Sequence, residues 1–509
     1  AGVTEGQTLT GHHELSADVC IIGSGAGGAV TAALMAQAGL QVLVVEEGGY
    51  FTQQRFRMRE EDCYPHLYQE SGQRTSKDLS VAIYQGRAVG GTTVVNWTTC
   101  FRTPERILEH WRQHHESTWT AEDLRPHFEA VEQRLGIARW DAVPQNANND
   151  ALARGAAALG WTWERTRRNV RACANSGYCG FGCPFDAKQG MLLTTLADAV
   201  AGGAELYADT RAERIVVEGD RVVRVEARVL ERERTRPTGV SVVVRPRVVA
   251  LCGGAVNSPA LLLRSGITAG PVGRRTMLHP VVGMSGRYDE PVQGWSGAPQ
   301  SVTVHDFVDR GPDRVGFFLE AAPVHPMLAG VSLPVVGAAQ TEAMGQLAYS
   351  SSLIAICVDG LVPGDEGGVV TVKSDGRPSV AYPFRPELGE AFASAHEVLA
   401  AAHFAAGARE VVSLHPVPVR MTSEADIPRL REAAYGRLAH GVFSAHQMGG
   451  CAFGPDPATS VVDLGLRHHR VPNLFVVDGS VLPTGLGVNP SETIYGLAHR
   501  AVESVAAAT

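Results

Sequence analysis

Residues 18–47 constrain the fold more than any other stretch of this chain. They read Asp18-Val19-Cys20-Ile21-Ile22, then Gly23-Ser24-Gly25-Ala26-Gly27-Gly28, then an alanine-rich run to Gly39, then Val42-Leu43-Val44-Val45-Glu46. The first apolar run is short and β-branched, the pattern of a strand buried on both faces. Alanine favours a helix, and Gly39 stands where a helix C-terminus favours glycine. The spacing therefore predicts strand, tight turn, helix and second strand, one βαβ unit. In such a unit Gly23 allows the turn, Gly25 lets a pyrophosphate approach the backbone, and Gly28 lets helix and strand pack closely. The helix N-terminus offers free N–H groups and partial positive charge to phosphates. Glu46 ends the second strand about 20 residues on, where an acid binds a ribose hydroxyl. The stretch reads as a dinucleotide site.

The rest of the chain narrows the class. With 509 residues it is long enough for more than one domain and a large core. Its net charge of −8 argues against a nucleic-acid partner. No apolar run is long and clean enough to span a bilayer. The cysteines number nine and are mostly scattered in apolar surroundings, which fits reduced thiols and a cytoplasmic protein.

Taken in order, residues 1–17 read as a polar, loose arm, and residues 50–80 carry no firm pattern. Gly86-Arg87-Ala88-Val89-Gly90-Gly91-Thr92-Thr93-Val94-Val95-Asn96 places paired glycines and hydroxyls before an apolar pair, as backbone laid against a flat ligand would. Thr120 with Asp123 three residues later predicts a capped helix to Ile137. Residues 144–150 read as a polar loop. Residues 205–250 alternate as strands, with an Arg/Glu-rich hairpin at 229–238 expected to be a solvated tip. Val248–Cys252 and the following Gly253-Gly254 predict a second strand–glycine–helix turn. Residues 280–440 read as an antiparallel sheet with helices. Near the end come His446-Gln447-Met448-Gly449-Gly450, a strand leading to Asp478-Gly479, and Asn489-Pro490. Pro490 suits the first position of a final helix and Asn489 its cap. His468 and His469 are expected at the surface.

Four of these stretches, Gly23–Glu46, Gly86–Asn96, Gly254–Gly266 and His446–Ile494, resemble in content and order the glucose–methanol–choline (GMC) oxidoreductases, two-domain FAD enzymes acting mostly on alcohols. The resemblance spans nearly the whole chain. It implies an α/β fold: a discontinuous Rossmann-type FAD domain, here 1–100, 200–285 and 440–509, and an α+β substrate domain built on an antiparallel sheet, here 101–199 and 286–439. It implies that Gly23, Gly25, Gly28 and Glu46 hold the ADP half of FAD. Gly90, Gly91 and Asn96 would lie along the flavin, and Asp478 and Gly479 at the ribityl–pyrophosphate region. The helix at Pro490 would aim its positive end at the flavin. Val95 stands where some members carry a histidine bonded covalently to FAD, so non-covalent FAD is expected. His446 matches the family's catalytic base and Asn489 its hydrogen-bonding partner. The loop after Asn96 resembles the branch that includes long-chain alcohol oxidases.

The chemistry implied is oxidation of a small alcohol, primary or apolar, to a carbonyl. The base takes the hydroxyl proton, flavin N5 takes the hydride, and O2 or another acceptor reoxidises the flavin. Two alternatives share the scaffold: a hydroxynitrile-lyase-like enzyme and a non-catalytic electron-relay subunit. Cys173, Cys179 and Cys183 form a separate cluster, followed by Pro184. Zinc requires four ligands, and no fourth is nearby. Three thiolates suit a three-iron cluster, and the spacing resembles that of FAD glucose dehydrogenase catalytic subunits. A plain structural loop with thiols, or with one disulfide, is the other reading.

Overall fold

The computed structural model describes every residue except 1, 142, 143 and 232. A mixed sheet of eight strands forms one half of the molecule. Its strands are β1 (Val3–Glu5), β2 (His12–Ile22), β3 (Val42–Val45), β4 (Glu205–Ala208), β5 (Thr210–Glu218), β6 (Arg221–Leu230), β7 (Pro237–Leu251) and β8 (Leu474–Val476). Their order is β1-β4-β3-β2-β7-β6-β5, with β8 also beside β7. β1, β4, β3, β2, β7 and β8 pair in parallel, while β5 and β6 extend the sheet as an antiparallel edge. Val19, Cys20, Val248 and Val249 are fully buried, as the continuous apolar runs of a covered parallel strand require. Helix α1 (Ala26–Gln37) follows β2, α2 (Gly254–Arg264) follows β7, and α3 (Ser491–Ala507) packs on α1.

Glycine makes α1 fit. A Cβ on Gly27 would stand 1.7 Å from the Val477 carbonyl oxygen, and one on Gly28 2.0 Å from that of Gly23. Neither backbone atom has room to retreat, so the helix reaches the sheet only with glycine at both positions.

The second half is an antiparallel sheet in the order 420–421, 410–413, 281–287, 350–358, 316–321, 302–304 and 163–165. Helices Pro386–Ala405 and Ala147–Ala158 pack together against it. A short strand, Phe443–Ser444, pairs both with Val281 and with Ala82–Ile83, carrying the chain from this sheet back towards β8.

Several local expectations change. Within residues 1–17, Val3–Glu5 and the start of β2 are ordered strands, because β1 has the edge of β4 to pair with; residue 1 lies outside the described residues. Residues 50–80 contain a helix, Glu60–Leu67. The 144–150 loop gives way to a helix at Ala147, with Asn146 accepting the Asn149 N–H as its cap. The 229–238 hairpin, whose Arg232 lies outside the described residues, is not a solvated tip at Arg234. That guanidinium is buried, donates to Asp209 at 2.6 Å and lies over the Phe51 ring. His468 is buried, with Nδ1 accepting backbone N–H groups of Arg470 and Val471. The Thr120–Asp123 capping box is present, on helix Ala121–Leu135.

Gly27→Ala should cost above about 4 kcal/mol, since its methyl meets fixed backbone. Gly39→Ala, left-handed but facing open space, should cost only about 1–2 kcal/mol. Urea unfolding of the two variants checks the contrast; similar losses would mean that α1 does not depend on that close approach.

Candidate active site and cofactor crevice

One cavity of about 1260 Å³ runs from the βαβ turn to the second sheet. Its lining includes Gly23, Gly25, Glu46 and Gly91, and also Asn96, Gly479, His446, Asn489 and Pro490. This is the crevice outside the carboxyl ends of the parallel strands, where open α/β sheets bind ligands. Of the residues assigned to FAD or catalysis by sequence, Gly28 and Gly90 do not line it. Gly28 makes the helix–turn contact, and Gly90, at φ 102°, donates its N–H to Ser24 Oγ at 2.9 Å.

Two buried carboxylates fix the crevice wall. Glu46 accepts the Ser24 N–H at 2.8 Å, the Ser24 hydroxyl at 2.7 Å and the Gly48 N–H at 2.7 Å. Asp478 accepts the Gly254 N–H at 2.8 Å, the Ser258 hydroxyl at 2.5 Å, and both the N–H and hydroxyl of Ser480. Burial raises both carboxyl pKa values while these donors lower them. Gly91 and Gly25 face each other closely: a Cβ on Gly91 would stand 2.6 Å from the Gly25 Cα. These bare glycine walls, with the unpartnered buried Oδ1 atoms of Asn96 and Asn489, fit a flat dinucleotide such as FAD.

At the far end His446 Nε2 and Asn489 Nδ2 are 3.3 Å apart. Burial pushes the His446 imidazole down to about 4, so it is neutral at physiological pH. Asn489 is not the helix cap. α3 begins at Ser491 with Pro490 in the cap position, and no side chain caps it. The amide of Asn489 is thereby left to face His446.

Sequence reasoning missed two neighbours. His279, fully buried, accepts the Leu486 N–H at Nε2 (2.9 Å), which leaves its proton on Nδ1, 3.3 Å from His446 Nδ1. Glu320 lies against the Asn489 amide, with Gln300 donating to its Oε2 and its Oε1 unpartnered. Burial pushes this carboxyl up to about 8, beyond what Asn489 and Gln300 offset. A lone acid in the apolar run Phe317-Phe318-Leu319-Glu320-Ala321 was the available signal.

The cysteine cluster needs correction. Among the described residues no group of three or more His, Cys, Asp or Glu side chains is placed to hold a metal ion. Cys173, Cys179 and Cys183 are half-buried free thiols. The Cys179 sulfur lies 3.7 Å from a guanidinium nitrogen of Arg168, and the Cys173 sulfur 3.9 Å from Asn175 Oδ1. No three-iron centre is formed from these side chains as they stand.

Residues 64–281 and 367–498 match the GMC oxidoreductase family, and residues 21–82 match NAD(P)-binding Rossmann-like domains. A GMC-type oxidoreductase of Sinorhizobium fredii is 30% identical, over 98% of this chain and 96% of that protein. The chain belongs to the GMC oxidoreductase family. A GMC-type oxidoreductase of Mycobacterium tuberculosis is 33% identical over 95% of this chain and 74% of its own length. A long-chain-alcohol oxidase of Arabidopsis thaliana is 30% identical over 96% of this chain and 67% of its own length. The crystal structure of pyridoxine 4-oxidase from Mesorbium loti superposes with a TM-score of 0.69 at 20% identity, covering 96% of this chain and 98% of that one, a shared fold.

The Glu320 carboxyl gives a pH signature. Its folded pKa of about 8 lies above its ordinary 4.5. Its contribution to stability is therefore full below about 4.5 and is lost as pH rises through about 8. Glu320→Gln removes that slope. The melting temperature of the wild type, taken as a difference from this variant at each pH, should fall from about pH 5 to about pH 8 and then level. A constant difference would show that the carboxyl is ionised throughout.

Proposed function

We propose that this GMC oxidoreductase binds FAD non-covalently in the crevice and oxidises an apolar primary alcohol to its carbonyl. The observation that carries the reading is the His446–Asn489 pair, 3.3 Å apart and opening on the same cavity as the glycine turns. FAD, when bound, supplies the hydride acceptor. Gly23, Gly25, Glu46 and the α1 N-terminus would hold its ADP half, and Gly91, Asn96, Asp478, Gly479 and the α3 N-terminus would meet its remaining length. On this reading the halves around the two sheets act as cofactor and substrate domains.

His446 and Asn489 would bracket the substrate oxygen, with His446 Nε2 taking the hydroxyl proton and the amide of Asn489 steadying the oxygen. Two contacts compete for the imidazole. Donation from His279 to Nδ1 holds the His446 proton on Nε2; donation from Asn489 to Nε2 requires it on Nδ1. Base catalysis uses the second arrangement, so the His446 tautomer must shift before proton transfer.

The cavity wall supports an apolar alcohol. Residues 322–349 contain a single charged side chain, Glu342, and Leu328, Val331, Leu333 and Val335 of this segment line the cavity. Aliphatic walls with few polar groups take an alkyl chain. The long-chain-alcohol oxidase relative agrees with that substrate class.

His446→Ala should keep fold and FAD, and its flavin reduction by an alcohol should slow roughly 10²–10⁴-fold in anaerobic stopped flow. A wild-type rate would remove His446 as base. Because burial sets the His446 pKa at about 4, wild-type flavin reduction should be flat from about pH 6 to 8 and fall as pH drops through about 4. An acid limb near about 6.5 would mean that the imidazole is well solvated. Acid precipitation should release all flavin into solution, since Val95 occupies the covalent-linkage position; flavin retained in the pellet would refute non-covalent attachment.

A further inference from the structure

The cysteine loop lies directly behind the wall segment Val94–Trp97, and two buried cations join them. Lys188 donates to the carbonyls of Val94 (2.7 Å), Asn96 (2.7 Å) and Cys179 (2.8 Å). Arg168, 1% exposed, donates to the Trp97 carbonyl at 3.3 Å, and its other close partner is the Cys179 sulfur at 3.7 Å. Its Nε and Nη1 have no partner. Neither cation has a carboxylate within ion-pair distance among the described residues. Burying unpaired charge is costly, so such a site favours an anion beside it. The acidic groups at hand are thiols. Burial pushes the Lys188 ammonium down to about 8, with Cys179 and then Cys183 acting in the opposite sense. Cys173 stands six residues before Cys179 in the same loop, and burial pushes its thiol up.

We propose that Cys179 is a peroxide-reactive thiol, activated by Arg168 and Lys188, and that Cys173 resolves its oxidised form. The Cys179 sulfur attacks one oxygen of hydrogen peroxide; an S–O bond forms, the O–O bond breaks and the second oxygen leaves as hydroxide, protonated to water. Sulfur is oxidised by two electrons and peroxide is reduced. The Cys173 thiol then displaces water from the sulfenic acid, forming a disulfide. Closing it pulls on residue 179, whose carbonyl shares Lys188 with Val94 and Asn96, so oxidation loosens the cofactor-facing wall. Peroxide arises at this enzyme whenever O2 accepts its electrons, which rests on the oxidase reading; the reactivity of the thiol does not.

The test treats the FAD-loaded protein, without alcohol, with added hydrogen peroxide and dimedone, and maps the adducts by mass spectrometry. Cys179 should be labelled at least about ten-fold faster than Cys173 or Cys183. Without dimedone a Cys173–Cys179 disulfide should accumulate. Cys179→Ser should retain FAD and flavin reduction but lose peroxide sensitivity. Equal labelling of the three thiols, or a Cys179→Ser variant inactivated at the wild-type rate, would overturn the proposal. Because peroxide is supplied from outside, failure here is distinguishable from failure of the alcohol-oxidation reading, which the stopped-flow measurement tests alone.

Discussion

Two buried carboxylates hold the crevice together. Glu46 and Asp478 each collect backbone N–H and serine hydroxyl donors, and between them they tie four segments at the carboxyl ends of the parallel strands. Ser24 extends the first knot by accepting the Gly90 N–H, so the βαβ turn fixes the wall loop 86–96 as well. Removing one donor from such a cluster leaves a buried acceptor unsatisfied, which costs about 1–3 kcal/mol. Glu46 therefore has a structural duty to the turn beside any duty to a ribose.

The cofactor end is legible in sequence because its physics is local. A glycine on which a Cβ would stand 2.0 Å from a carbonyl oxygen, a strand buried on both faces and a helix N-terminus all leave their mark within about 30 residues. Arg234 is illegible for the complementary reason. Within an Arg/Glu-rich hairpin nothing marks one arginine as buried; the partner Asp209 lies 25 residues away and the Phe51 ring much further. Asn489 reads as a cap because Asn-Pro has that local meaning, yet Pro490 takes the cap position and the amide turns to His446.

Desolvation acts in opposite directions on the groups around that amide. It keeps His446 neutral by disfavouring the imidazolium, and it keeps Glu320 neutral by disfavouring the carboxylate. This end of the cavity thus assembles histidines, an amide and a carboxyl that burial holds uncharged at neutral pH. On the function proposed above, an uncharged alcohol would enter such a pocket without losing a counter-ion, and the imidazole would take the proton it releases.

The chain order explains why this end is harder to read. His279, Glu320, His446 and Asn489 come from four separated segments: the pairing of Phe443 with Val281 sets His446 near His279, and Glu320 is placed by its pairing with Thr303 and Ile354. Each of the four sits among apolar or small residues, a setting equally suited to a satisfied core polar group. Their chemistry exists only through long-range strand pairing. The cavity wall at residues 322–349 is built apart from the glycine turns and their carboxylate knots, because no strand of the eight-stranded sheet passes through it. The glycine-framed end and the end that holds the His446–Asn489 pair are therefore built by separate parts of the fold.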